Sequence, residues 1–150
     1  MPGTYSRLLY HVVFSTKGRA AMMKGGTRGR IHEYLGGIIR SEGGVAYQIG
    51  GMPDHVHLLL RWRADQSIAA LVRQMKSNSS RWIHETFPMM TAFAWQEGYG
   101  AFTVSQSQKD TVAAYIANQE AHHQNTPFEE EFVRFLRAHE IEYDPKYLWD

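Results

Sequence analysis

The segment Asp54-His55-Val56-His57-Leu58-Leu59-Leu60 constrains this chain more tightly than any other. Residues two apart on a β-strand point the same way. Read as a strand over His55 to Trp62, it sends His55 and His57 to one face, with Arg61 following their parity. Val56, Leu58, Leu60 and Trp62 then cover the other face and supply a core without help from the histidines. Two imidazoles side by side make a natural pair of metal ligands, since neutral imidazole is a common one. A His-x-His spacing alone is weak evidence, and solvent-facing or structural histidines are the plain alternative. Either way, the chain must build a sheet with two unlike faces.

The rest of the pattern says which sheet. Tyr5 to Thr16 is rich in β-branched and aromatic residues and predicts a strand. A basic, glycine-containing loop over Lys17 to Arg30 follows, then a helix on the stripe Ile31, Tyr34, Leu35, Ile38 and Ile39, closed by Gly43-Gly44. Val45 to Ile49 predicts a short strand, Gly50 to Asp54 a turn, and the histidine strand completes a hairpin. Ser67 is placed to cap a helix carrying Ile68, Leu71, Val72 and Met75 and continuing through Trp82 and Ile83. Ala101 to Ser105 predicts the last strand. A third helix opens at Ser107 or Asp110 and runs through Gln119, and a fourth covers Phe128 to His139 with Phe132, Phe135 and Leu136 inward. This order is the split β-α-β order of a ferredoxin-like sandwich, an α+β fold with an antiparallel sheet and helices on one face. At 150 residues, 43% of them hydrophobic, one domain over 1–150 is expected.

Composition removes whole classes of chemistry. There are no cysteines, hence no disulfides, zinc fingers, iron–sulfur clusters or cysteine nucleophiles. The longest stretch without Lys, Arg, Asp or Glu is eleven residues, for example Gly43 to Pro53, against roughly 20 for a spanning helix. No export signal is evident, so a cytoplasmic protein away from membranes is expected. Residues 1–82 carry 12 Lys and Arg against 4 Asp and Glu, whereas residues 83–150 carry 4 against 11. That asymmetry suggests a basic face able to meet a polyanion; two ordinary solvated faces would look the same.

A second constellation lies in Tyr115-Ile116-Ala117-Asn118-Gln119. Residues four apart share a helix face, so Tyr115 and Gln119 point to one place. Alone they read as a core tyrosine and a surface glutamine. Beside the histidines they offer an amide oxygen and a phenol to a divalent cation. Asp54 reads first as a turn residue and second as an orienting partner for an imidazole. His11 reads as a sheet residue, His122 and His123 as helix-end histidines outside the site, and Glu129-Glu130-Glu131 as a solvated face.

Together with their neighbours these motifs resemble the single-tyrosine HUH transposases, including the small insertion-sequence enzymes and the REP-associated tyrosine transposases. The matching pieces are YHVVFSTK (Tyr10 to Lys17), MPDHVHLLL (Met52 to Leu60), QMKSNSSR (Gln74 to Arg81), WQEGYGAFTVS (Trp95 to Ser105) and YIANQ (Tyr115 to Gln119). They fall in the family's order over about residues 5 to 125, and the pairing of MPDHVH with YIxNQ is the specific part. The resemblance implies that His55 and His57 bind the metal with Gln119 as third ligand, that Tyr115 is the nucleophile, and that the cation is Mg²⁺ or Mn²⁺. It implies cleavage and rejoining of single-stranded DNA with hairpin ends through a 5′-phosphotyrosine, and a homodimer in the insertion-sequence type. Lys17, Arg19, Arg73, Lys76 and Arg81 lie in or beside the matching segments and become the expected DNA contacts. Two rivals remain. A histidine-triad nucleotide hydrolase needs a third alternating histidine where Leu59 stands. A non-catalytic nucleic-acid-binding module would show aromatics on the exposed strands, where this chain presents histidines and Arg61.

Overall fold

The computed structural model describes residues 3–124 and 126–150. Its centre is the histidine strand β3 (His55–Trp62), flanked antiparallel by β2 (Val45–Met52) and β1 (Leu8–Ser15). β1 pairs antiparallel with β4 (Gly100–Val104), giving the order β2-β3-β1-β4. Helices α1 (Gly26–Ser41) and α2 (Ile68–Thr86) each link strands that are not neighbours, which is how a split β-α-β chain interleaves its strands. The expected ferredoxin-like α+β sandwich is the fold observed.

Boundaries differ from the sequence reading where no apolar residue marks them. α1 starts at Gly26, five residues before Ile31, and the expected loop ends at Gly25. Gly25 has φ 57° and ψ −139°, a backbone state open to glycine, and this turn sets the helix start. β2 runs on to Met52 through Gly50 and Gly51. Ser67 caps α2 as expected, its Oγ accepting from the Ala70 N–H at 3.1 Å.

The face bearing Val56, Leu58, Leu60 and Trp62 packs on α1 and α2, with Val12 and Phe14 of β1 in the same core. On this side the single-layer expectation holds. The histidine face, however, is also roofed. Val13 and Phe102 pack there against Phe128, Phe132 and Leu136 of α5 (Phe128–Ala138), and α3 (Lys109–Ala117) lies against β2 and β3. Helices therefore cover both faces. The cause is visible in β1 and β3, where Leu9, Val13 and Leu59 share the histidines' parity, are apolar, and must be kept from water.

The third helix is not continuous through Gln119. It breaks at Asn118 (φ −99°, ψ 24°), and a short α4 (Gln119–His123) continues in a new direction. Asparagine competes with helical hydrogen bonding and is a natural break point. α3 approaches β2 most closely at Gly50, where a Cβ would fall on the Ile116 carbonyl oxygen, a backbone atom that cannot turn aside. Gly50→Ala should therefore push α3 off the sheet and lower unfolding stability by about 1–3 kcal/mol. Urea denaturation checks this, and an unchanged midpoint would show that the close approach carries no packing constraint.

Candidate metal and tyrosine site

β3 delivers His55 and His57 from the same face, both fully buried. α4 brings Gln119 Oε1 to 2.9 Å from His55 Nε2 and His123 Nε2 to 2.9 Å from the same oxygen. α5 brings Glu131, whose Oε1 lies 2.8 Å from His57 Nε2 and 3.3 Å from His123 Nε2. Tyr115, on α3, donates its hydroxyl hydrogen bond to Glu131 Oε2, and Gln119 Nε2 donates to that oxygen at 3.1 Å. The expected quartet of His55, His57, Tyr115 and Gln119 thus converges within one chain, despite the break at Asn118. Phe128 lies flat on the His55 ring at 3.9 Å and closes that side, while Tyr115 and His122 remain partly exposed.

The donor chemistry of this cluster fits a cation. His55 Nδ1 is 2.7 Å from Asp54 Oδ1, and His123 Nδ1 is 2.6 Å from the Thr126 carbonyl. Each partner can only accept, so each Nδ1 carries a proton turned outward, and a neutral ring then presents a lone pair at Nε2. Those lone pairs face Gln119 Oε1 and Glu131 Oε1, which are acceptors too. Acceptors turned on one another at hydrogen-bond distance call for a shared positive charge. His55, His57, His123 and Glu131 can each place one ligand atom within 4.8 Å of all the others. His11, read from sequence as a sheet residue, is one, and it also contacts His57 Nδ1 through its Nε2 at 2.7 Å. Its role is to hold the ring that Glu131 meets from the other side.

Burial governs the electrostatics. It lowers His57 to about 4, even against the hydrogen bond and charge of Glu131, and lowers His11 to about 3 with help from His57. Burial would raise the Glu131 carboxyl, but a proton on His123 Nε2, taking the place of a cation between the two groups, together with hydrogen bonds from His57 and Tyr115, holds it well below the usual carboxylate range. Tyr115 moves the opposite way. Burial, then the hydrogen bond to Glu131 and its charge, push the phenol far above its ordinary value, so the hydroxyl keeps its proton in this geometry. For His123, burial is outweighed by Glu131 and the Thr126 carbonyl, and the ring sits above the ordinary imidazole value.

Two readings of the sequence need correction, and for Asp54 both alternatives hold. Glu131 is no part of a solvated face: it is 2% exposed, while Glu129 and Glu130 beside it are in water. On a helix it falls three residues after Phe128 and four before Phe135, inside the apolar stripe, and this spacing was the available signal. His123 belongs to the cluster, four residues after Gln119 on the same face, and His122 Nε2 lies 3.1 Å from Glu131 Oε2. Asp54 does end a turn, but its carboxylate also orients His55.

The five basic residues expected to meet DNA are spread over the surface. Lys17, Arg73 and Arg81 are exposed, the last two on α2, in the layer across the sheet from the histidines. Arg19 pairs with Glu129 and lies over the Trp149 ring at 4.8 Å. The Lys76 ammonium is occupied within the fold, donating to the carbonyls of Gln96, Glu97 and Gly98 at 2.8, 3.1 and 2.6 Å.

Residues 4–119 match the family described as transposase IS200 like, and the chain belongs to that family. It is 28% identical over 122 residues to the ISDra2 transposase TnpA of Deinococcus radiodurans, covering 78% of this chain and 87% of that protein. A crystal structure of a protein from Deinococcus radiodurans R1, described as a transposase, is similar with TM-score 0.66 and 27% identity, over 79% of this chain and 95% of that one. A REP-associated tyrosine transposase bound to a REP hairpin shares the fold at TM-score 0.61 and 11% identity, over 82% of this chain and 73% of that one. No helix among the described residues is long and apolar enough to cross a membrane.

Because Asp54 holds His55 in one tautomer, Asp54→Ala should weaken Mn²⁺ binding about 10- to 100-fold. Isothermal titration calorimetry reads this directly, and unchanged affinity would leave Asp54 as a turn residue alone.

Proposed function

We propose that this transposase cleaves and rejoins single-stranded DNA at hairpin ends through Tyr115, with His55, His57 and Gln119 holding a divalent cation, Mg²⁺ or Mn²⁺. The supporting observation is the meeting of one phenol, one amide oxygen and two imidazoles, drawn from separate elements, in a chain of the IS200-like transposase family. When bound, the cation polarises the scissile phosphate and offsets charge on the displaced oxygen. The donor set of imidazoles and a carboxamide suits Mn²⁺ at least as well as Mg²⁺.

The chain's own groups do the rest. The Tyr115 oxygen attacks phosphorus, the bond from phosphorus to the 3′-oxygen breaks, and a 5′-phosphotyrosine and a 3′-hydroxyl result. The phenol gives up its proton as it attacks, and the displaced oxygen gains one. One phosphoester replaces another, so a 3′-hydroxyl can later attack the phosphotyrosine and join a different pair of ends. In the resting geometry the Tyr115 hydroxyl donates its hydrogen bond to Glu131, and the Tyr115 ring centroid is 5.9 Å from that of His57. Tyr115 and His122 keep partial exposure at the edge of the cluster, and the approach of a phosphate is assigned to that edge.

Lys17, Arg73 and Arg81, exposed and without an ion-pair partner among the described residues, are the expected basic residues free to meet DNA phosphates. Arg19 would first have to leave Glu129, and Lys76 its three carbonyls. The convergence within one chain supports a site completed by one subunit, and a homodimer would carry two.

Labelled hairpin-bearing single-stranded DNA, incubated with the protein and Mn²⁺, should give a covalent adduct that survives denaturation. Tyr115→Phe should abolish the adduct with DNA binding intact, and an adduct from that variant would rule out Tyr115 as nucleophile. A double Arg73→Ala, Arg81→Ala variant should bind the same DNA more weakly and with a shallower salt dependence. A salt slope equal to that of the unaltered protein would clear both residues of phosphate contact.

A further inference from the structure

The family match ends at residue 119, yet two of the side chains closest to the paired histidines lie beyond it. Glu131 has left water completely while its neighbours on α5 have not, and a buried carboxylate needs charged or hydrogen-bonding partners to offset its lost hydration. Its ion-pair partners among the described residues are histidines: His57, His123 and His55 around Oε1 at 2.8, 3.3 and 3.7 Å, and His122 at Oε2. Three imidazole nitrogens on one carboxylate oxygen, with no lysine or arginine, is an arrangement that coordination chemistry explains better than ion pairing.

We propose that Glu131 and His123 are ligands of the same cation as His55, His57 and Gln119, so that the C-terminal helix is part of the metal centre. This rests on the reading above that the site holds a divalent cation. The geometry meets the requirements of a single ion. His123 is fixed by Thr126 with Nε2 inward, and the four ligand atoms lie within 4.8 Å of one another. Donors on opposite sides of one small cation stand about 4 Å apart. Gln119 and the imidazoles carry no charge, so Glu131 supplies the anionic ligand in the set. Its two oxygens divide the work. Oε1 faces the imidazoles, whereas Oε2 takes the Tyr115 hydroxyl and the Gln119 amide N–H, the latter leaving Gln119 Oε1 turned toward His55 and His123. One carboxylate thereby ties the tyrosine's position to the occupancy of the metal site.

The opposite possibility is that the carboxylate merely fills the space a cation would take, and then removing its charge would favour the ion. Mn²⁺ binding separates the two, followed by the loss of the free-ion electron paramagnetic resonance signal, with no DNA present. Glu131→Gln, nearly isosteric, and His123→Ala should each weaken Mn²⁺ binding at least tenfold and alter the visible absorption of the Co²⁺-loaded protein. Melting temperatures without metal verify that each variant is folded, and His123→Ala carries the test if Glu131→Gln is not. Affinity equal to or tighter than that of the unaltered protein would overturn the proposal. His57→Ala serves as the reference. If it loses Mn²⁺ while the other two variants keep it, the wider ligand set fails and the cation reading stands. If the unaltered protein takes up no Mn²⁺, both fail together.

Discussion

Lone pairs turned inward on one another are the constraint from which the rest of this site follows. His55 and His123 give their Nδ1 protons to Asp54 and to the Thr126 carbonyl, and Gln119 and Glu131 point acceptor oxygens at the nitrogens thus freed. A cluster of this kind is costly without positive charge and well satisfied with it. It also needs rigid walls. β3, held on both sides by antiparallel partners, fixes two of the rings, and His11 on β1 fixes the second ring from behind.

The sheet explains why the tyrosine can reach this cluster at all. β2 dispenses with a side chain at Gly50, paired with His57, and α3 settles against that bare backbone through Ile116. Tyr115 is thereby laid beside His57, and the turn at Asn118 redirects the chain so that Gln119 and His123 face the same point. α5 then closes the layer with Phe128, Phe132 and Leu136 and inserts Glu131 between them. The position of Glu131 in the cluster and the apolar packing of α5 are served by the same helix face.

The sheet, its interleaved order and the pair of histidines were legible because strand alternation separates two unlike sets of side chains in a single stretch of sequence. Tyr115 and Gln119 were legible from their spacing, although the helix that was to carry both is broken. The C-terminal third is less legible. Leu9, Val13 and Leu59 already required a cover for the histidine face, but their apolar character was masked by the stronger row of Val56, Leu58 and Leu60. Glu131 was hidden by composition: three consecutive glutamates suggest solvent, whereas a helix sends each of them in a different direction. Helix-end histidines usually answer to the dipole, which hides His123, whereas here the hydrogen bond to Thr126 aims the ring elsewhere.

On the proposed reading these inward-facing groups hold one divalent cation beside the tyrosine. Anomalous diffraction at the manganese edge, from crystals grown with Mn²⁺, tests it most directly. A single strong peak is expected within bonding distance of the Nε2 atoms of His55 and His57 and of Gln119 Oε1, on the Tyr115 side of the sheet. A peak elsewhere, or an undisturbed cluster with no peak at saturating Mn²⁺, would contradict it.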